Sequence, residues 1–176
     1  DSPAALRTQL GGSLDIPDFS VRQVGDDQTS PTPHFWGRPI TYMGTFQDRL
    51  VIGSGAVITM SETSNYFNFF RSSSLTVKDS DPVEVFALGA EDDTIRHSVI
   101  FDKSLLLFGD KQQYSIDGRL PVTPATTTVI QSSAVEDSTD AAPVAAGDLV
   151  FFAKRRENTS QLYQIEIGDV ADTSNS

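Results

Sequence analysis

The chain has 176 residues, 24 acids against 13 bases for a formal net charge of -11, 38% apolar residues and no cysteine. That length suits one domain or one compact piece of a larger one, and the missing cysteine removes disulfides, thiolate ligands and a thiol nucleophile. The acidity repels a phosphate backbone rather than gripping it, and apolar runs such as SLLLFG fall far short of the ~20 residues that span a bilayer.

In chain order, residues 1–39 read as a turn-rich lead-in with at most one strand, the run FSVRQV between GGSLDIPDF and GDDQTSPTP. A start at Asp1 with no basic-then-apolar segment shows no targeting peptide and reads as a processed or cut product. From Ile40 short β-like runs recur between turn signals. They are ITYMGTF (40–46), RLVIGS (49–54), AVITMS (56–61), VEVFAL (83–88) and RHSVIF (96–101). SLLLFG (104–109), QQYSID (112–117), TTTVIQSS (126–133), LVFFAK (149–154) and LYQIEI (162–167) follow. Only 61–70 and part of 88–97 have room for a helical turn. Residues 168–176 are small and polar, a flexible end.

A repeated unit underlies these runs. YMGTFQDRLVIGSGAVITMS lies over IRHSVIFDKSLLLFGDKQQYSI, and both lie over APVAAGDLVFFAKRRENTSQLYQI. Each unit has a polar lead-in, an Asp beside a turn (48, 102 or 148), a short apolar strand, a turn and a second strand. Such a unit cannot bury its apolar face alone, so neighbouring units must pack together. The expected fold is all-β, an incomplete propeller-like arrangement of antiparallel blades over 40–167, with a β-sandwich of successive hairpins as the alternative.

Enzyme chemistry finds no support in the residues. His34 and His97 share no metal-ligand spacing. TPHFWG reads as a loop with an aromatic anchor. The acid clusters KDSDP, GAEDDT and SAVEDSTD lack calcium-loop spacing and read as solvated turns. GSGAV has no phosphate-loop lysine, and no GxSxG is present. Lys154, Arg155 and Arg156 form the densest basic patch, expected in a loop, where they are candidates for charged contacts. The residues predict a structural or binding module, with no catalytic residue, metal or cofactor.

The stretch DRLVIGSGAVITMSETSNYFNFF, with Phe46 before it and Asp81, Pro82 and Val83 after it, resembles the tail nozzle proteins (tail tubular protein B) of short-tailed bacteriophages. The matching positions are Phe46, Asp48, Arg49 and Leu50, then Met60, Ser61, Thr63, Tyr66, Phe67, Asn68 and Phe69. LLLFGDKQQYSI (105–116) and AAPVAAGDLVFFAKR (141–155) look like the family's next units, so the resemblance spans roughly residues 40–167. It implies a structural virion component: a propeller-like platform in a homo-oligomeric ring of the tail, below an adaptor protein and near tail fibres. Double-stranded DNA would be passing cargo rather than a bound ligand. Family subunits are usually much longer, so the chain is expected to be a fragment or a shortened relative.

Asp48, Arg49, Ser61, Tyr66, Phe67, Phe69 and Phe70 are the candidate structural or subunit-interface residues. Strand alternation predicts that Phe67 and Phe69 point one way and Tyr66, Asn68 and Phe70 the other. Ser61 and Thr63 are expected to brace the preceding turn through short side-chain bonds. The rival reading is a host-surface or glycan-binding module, a tail adhesin or lectin, presenting Trp36, His34 or Tyr66.

Overall fold

RLVIGS and SLLLFG each hold consecutive apolar residues, LVI and LLLF, which suits strands covered on both faces. The computed structural model describes residues 18–87, 92–136, 141–156 and 159–165, and it places both runs inside a stack of sheets. β1 (Tyr42–Phe46), β2 (Arg49–Ser54), β3 (Val57–Met60) and β4 (Val83–Phe86) form one antiparallel sheet in chain order. β5 (Ile95–Phe101), β6 (Ser104–Gly109), β7 (Gln113–Ile116) and β8 (Ile130–Ser133) form a second. β9 (Val144–Ala146), β10 (Leu149–Arg156) and β11 (Thr159–Ile165) form a third. The described residues contain no helix and no sheet closes on itself, so the fold is all-β, and its three stacked antiparallel sheets fit both the propeller-like and the sandwich arrangement. Each described sheet is built from consecutive strands. The run 61–70 is a turn-rich loop with a single bridge, Glu62 to Asn65, and 19–24 carries no strand.

The repeat has a geometric basis in its first hairpin. Phe46 pairs with Arg49 across Gln47 and Asp48, at φ 45° and 58°. Phe101 pairs with Ser104 across Asp102 and Lys103, at 44° and 63°. Two residues at positive φ make a primed turn, whose twist matches that of the strands. Ala146 pairs with Leu149 across Gly147, at φ 61°, and Asp148. The pairing corrects the alignment by Asp: Asp48 and Asp148 hold the second turn position, whereas Asp102 holds the first.

Period-2 alternation then assigns the faces. Val51 and Ile58 of the first sheet meet Leu105, Leu107, Tyr114 and Ile116 of the second. On its opposite face the second sheet sends Leu106 and Phe108 against Val150 and Phe152 of the third. Ile52 and Leu50 turn away from the second sheet and are covered by Phe19, Phe35 and Phe69. The layers therefore run lead-in, first sheet, second sheet, third sheet. β1 also abuts β5, joined by a 2.6 Å bond between the Tyr42 and Ser98 hydroxyls. Tyr42 lies across Gly44, where a Cβ would collide with its ring.

Leu107 is fully buried between two sheets. Leu107→Ala is expected to cost about 2–5 kcal/mol, read from the shift of a urea-unfolding midpoint.

Candidate functional site

Among the described residues the largest fully buried side chain is an arginine. Arg49 opens β2 and is 1% exposed. Its Nη1 donates to the carbonyls of Ser61 (2.7 Å), Asp81 (2.7 Å) and Ser80 (3.3 Å). Its Nη2 donates to those of Asp79 (2.7 Å) and Val122 (3.0 Å). A planar fork of fixed donors suits such convergent acceptors, which a lysine cannot reproduce. Burial pulls the guanidinium pKa below its ordinary value, while the Asp81 and Glu62 carboxylates push it back up. The group ties the end of β3, the loop before β4 and the segment after β7 to one point.

The first residue of the turn before β2 works alongside it. Gln47 donates to the Gly118 carbonyl (2.7 Å) and accepts from the Val122 amide (2.9 Å). Gln47 and Arg49 thus clasp residues 118–122 of the second unit onto the first. Ser61 is buried and supplies a missing rung, its hydroxyl accepting the Leu50 amide at 2.9 Å. The Ser61 hydroxyl thus reaches across to β2 and on to the Glu62 carbonyl rather than bracing the preceding turn, and Thr63 uses its backbone amide, donating to the Ser80 carbonyl.

Two acids expected in solvated turns are buried. Asp81 is 0% exposed and accepts the Lys78 amide (2.8 Å). Asp93 is 3% exposed and accepts the amides of Thr94, Lys111 and Gln112 and the Tyr114 hydroxyl (2.8 Å). A buried carboxylate is tolerated where its lone pairs are filled in this way. Gly109 makes the space, since a Cβ there would collide with the Asp93 carboxylate. Burial, then the bond to Asp93 and its charge, push the Tyr114 phenol well above the usual range.

The four aromatics divide by pairs rather than by alternation, because 66–70 is a loop. Phe69 and Phe70 are both buried, while Tyr66 (40%) and Phe67 (36%) are exposed. Phe69 stands edge-on to Phe35 at 4.9 Å between centroids and meets Phe19 at 5.8 Å. Phe67 also meets Phe19, and Phe70 meets Trp36. The cluster clamps the lead-in to the first sheet, helped by the Ser20 amide donating to the Phe67 carbonyl (2.8 Å). Asn68 caps the turn by accepting the Phe70 amide. Tyr66 donates its hydroxyl to Asp48 (2.7 Å), as does Ser64, and these bonds hold the exposed Asp48 carboxyl below its ordinary pKa.

Lys154, Arg155 and Arg156 lie in β10, opposite Gln161, Ser160 and Thr159, not in the expected loop. Phe35 is the anchor of TPHFWG, with His34 held by Arg38 at 2.7 Å and Trp36 half exposed. A groove of about 790 Å³ passes His34, Arg38 and Phe86, and neither Trp36 nor Tyr66 lines it. No group of three His, Asp or Glu among the described residues is placed to hold a metal. The site is a set of clasps between layers. Gln47 escaped the sequence reading, and Asp93 entered it only within GAEDDT as a solvated turn; the local trace of each is its position beside a turn.

Arg49→Lys is expected to lower stability by several kcal/mol, at about 1–3 kcal/mol for each buried carbonyl left unpaired, measured by denaturant titration. Base offers a second check. A phenol whose folded pKa is raised stabilises fully below its unfolded pKa of about 10 and loses that contribution as pH rises beyond it. Unfolding midpoints of the unmodified protein should therefore fall above pH ~10, and Tyr114→Phe should flatten that fall.

Comparison with known proteins gives this arrangement a family. The chain is 27% identical to tail tubular protein gp12 of Escherichia phage T7, over 98% of its own length and 22% of the relative's. It thus spans about a fifth of the curated relative. The model of the bacteriophage nozzle protein family matches residues 3–176, and the chain belongs to that family.

Proposed function

We propose that the chain is a structural domain of the phage tail nozzle, resident in the virion tail and forming part of the wall through which DNA passes to the host. The observation that carries this reading is the family match over residues 3–176. The stacked sheets and their buried clasps support it, since they make a stiff body. In this reading residues 40–167 are the wall-forming body and the lead-in clamps its first sheet. Copies of the chain share the tail with an adaptor above and fibres beside them. No catalytic step is invoked, because the buried acids are engaged with backbone amides and Tyr114.

DNA enters as cargo. Asp48, Asp102 and Asp148 are all exposed at the first hairpin of their units, so each repeat presents an acid at a two-residue turn, with Asp102 paired to Arg119 at 2.7 Å. Such a surface repels a polyanion and lets it move past. The glycan-binding alternative draws less support. Trp36 packs against Phe35 and Phe70, and the Tyr66 hydroxyl is engaged by Asp48.

The first test is the structure of the intact virion at subunit resolution. The expected result is this domain in a ring on the tail axis; a position off the axis, or absence from the particle, overturns the reading. Separately, the chain should show no measurable retention of duplex DNA even at low salt, where cationic patches act most strongly. Tight, salt-sensitive binding would shift attention to Lys154, Arg155 and Arg156 and end the idea of a repelling surface.

A further inference from the structure

The third sheet is covered on one face, yet its sequence reads as that of a sheet covered on two. An antiparallel sheet with one face in water alternates apolar and polar residues. LVFFA in β10 is instead apolar at every position of 149–153, like LVI of β2 and LLLF of β6. Those two strands have an apolar layer on each side: β6 lies between the first and third sheets, and β2 between the second sheet and the lead-in aromatics. Val150 and Phe152 of β10 enter the core shared with Leu106 and Phe108. Alternation sends Leu149, Phe151 and Ala153 to the opposite face, and none of them joins a core among the described residues.

Strand pairing gathers these side chains into a patch, because directly opposite residues share a face. Phe151 stands opposite Val144, Leu149 opposite Ala146 and Ala153 opposite Leu162. Leu162 is 73% exposed and Val144 60%. Gln164, also opposite Phe151, is the polar member of this span and is uncharged. A contiguous apolar face, unlike scattered single residues, marks a contact site.

The construction of the stack selects the occupant. Its layers run in chain order from the lead-in to the third sheet, each sharing a core with the next. β1 abuts β5 and β5 abuts β9, so consecutive sheets set their first strands side by side. Stacked repeats need a cover on each terminal unit. Phe19, Phe35 and Phe69 supply it on the first sheet, whereas the third has neither a cover nor a polar face. The chain spans 22% of the T7 relative's length, so a polypeptide of that size holds ample material for a further layer. A tethered layer also meets this face at a high effective concentration, which a second copy does not.

We propose that the outer face of the third sheet is the joint to a fourth layer, an apolar-faced β-sheet supplied by the remainder of a longer polypeptide. Val144, Phe151 and Leu162 are its anchors. The fourth layer packs about 10 Å from the third, as stacked sheets do, with its first strand beside β9. The inference rests on the open face and on family membership, not on placement in the virion, so a position off the tail axis leaves it standing.

The 176 residues hold no cysteine, so an introduced thiol reports cleanly within them. Leu162→Cys and Val144→Cys each read this face, and Leu75→Cys, at a loop position 93% exposed, is the reference. Each is made in the complete natural polypeptide, kept unassembled, and labelled with a water-soluble maleimide, the labelled site being confirmed by peptide mapping. The thiols at 162 and 144 should react at least about tenfold more slowly than the one at 75, since burial makes a thiol inert. Equal rates overturn the proposal, as does a natural polypeptide no longer than this chain. Protection that appears only in assembled tails assigns the face to a second copy or another tail protein and overturns the fourth layer. A photo-cross-linking residue in place of Leu162 identifies the cover: the expected bond lies within one polypeptide, to a segment outside residues 1–176. A bond within 1–176, or between isotope-labelled and unlabelled copies, overturns it.

Discussion

A single guanidinium converts separate hairpins into a joined stack. Hydrophobic packing between sheets is non-directional and tolerates sliding. The five hydrogen bonds of Arg49 do not, because each requires a particular carbonyl at a particular angle. The price is desolvation of a cation, which burial registers as a lowered pKa. Carbonyl dipoles and the nearby Asp81 and Glu62 carboxylates offset that penalty. The arrangement favours register over raw stability, since a buried charge is weak evidence of the latter.

The same logic recurs one layer on. Asp93 sits at the entry to β5 and gathers the amides of the β6–β7 turn with the Tyr114 hydroxyl. Gln47 joins the first hairpin to the segment after β7. Each clasp is a polar group withdrawn from water beside a turn, and each closes a gap that strand pairing leaves open. The aromatic clamp plays the complementary part on the outer face of the first sheet, where Phe19, Phe35 and Phe69 cover Ile52. Directional bonds thus join units to one another, while rings seal the lead-in.

What the sequence disclosed follows from this division. β2 and β6 were legible to the residue because both faces are buried, leaving a run of consecutive apolar residues after a primed turn. β9 was missed, since Val144–Ala146 is short and exposed and offers no alternation. Alternation failed at 66–70 for a different reason: it presumes a strand, and Asn68 bends that segment into a capped turn. The buried acids were read as solvated because their partners are backbone amides, which no side-chain pattern announces. Arg49 was marked only by resemblance. Its acceptors lie as far along the chain as Val122, and long-range backbone geometry leaves no local signature.

The clasps and the hairpins use the acids of the chain in different ways. The acids divide into two populations. Asp81 and Asp93 are buried and act as connectors, whereas Asp48, Asp102 and Asp148 sit on hairpins facing solvent. Each of these three lies in a two-residue hairpin turn, with positive φ at both central residues for Asp48 and Asp102 and at Gly147 beside Asp148. Residues 72–77 and 120–135 carry no charge. In the proposed nozzle wall, exposed acids at the hairpins would repel a polyanion rather than hold it.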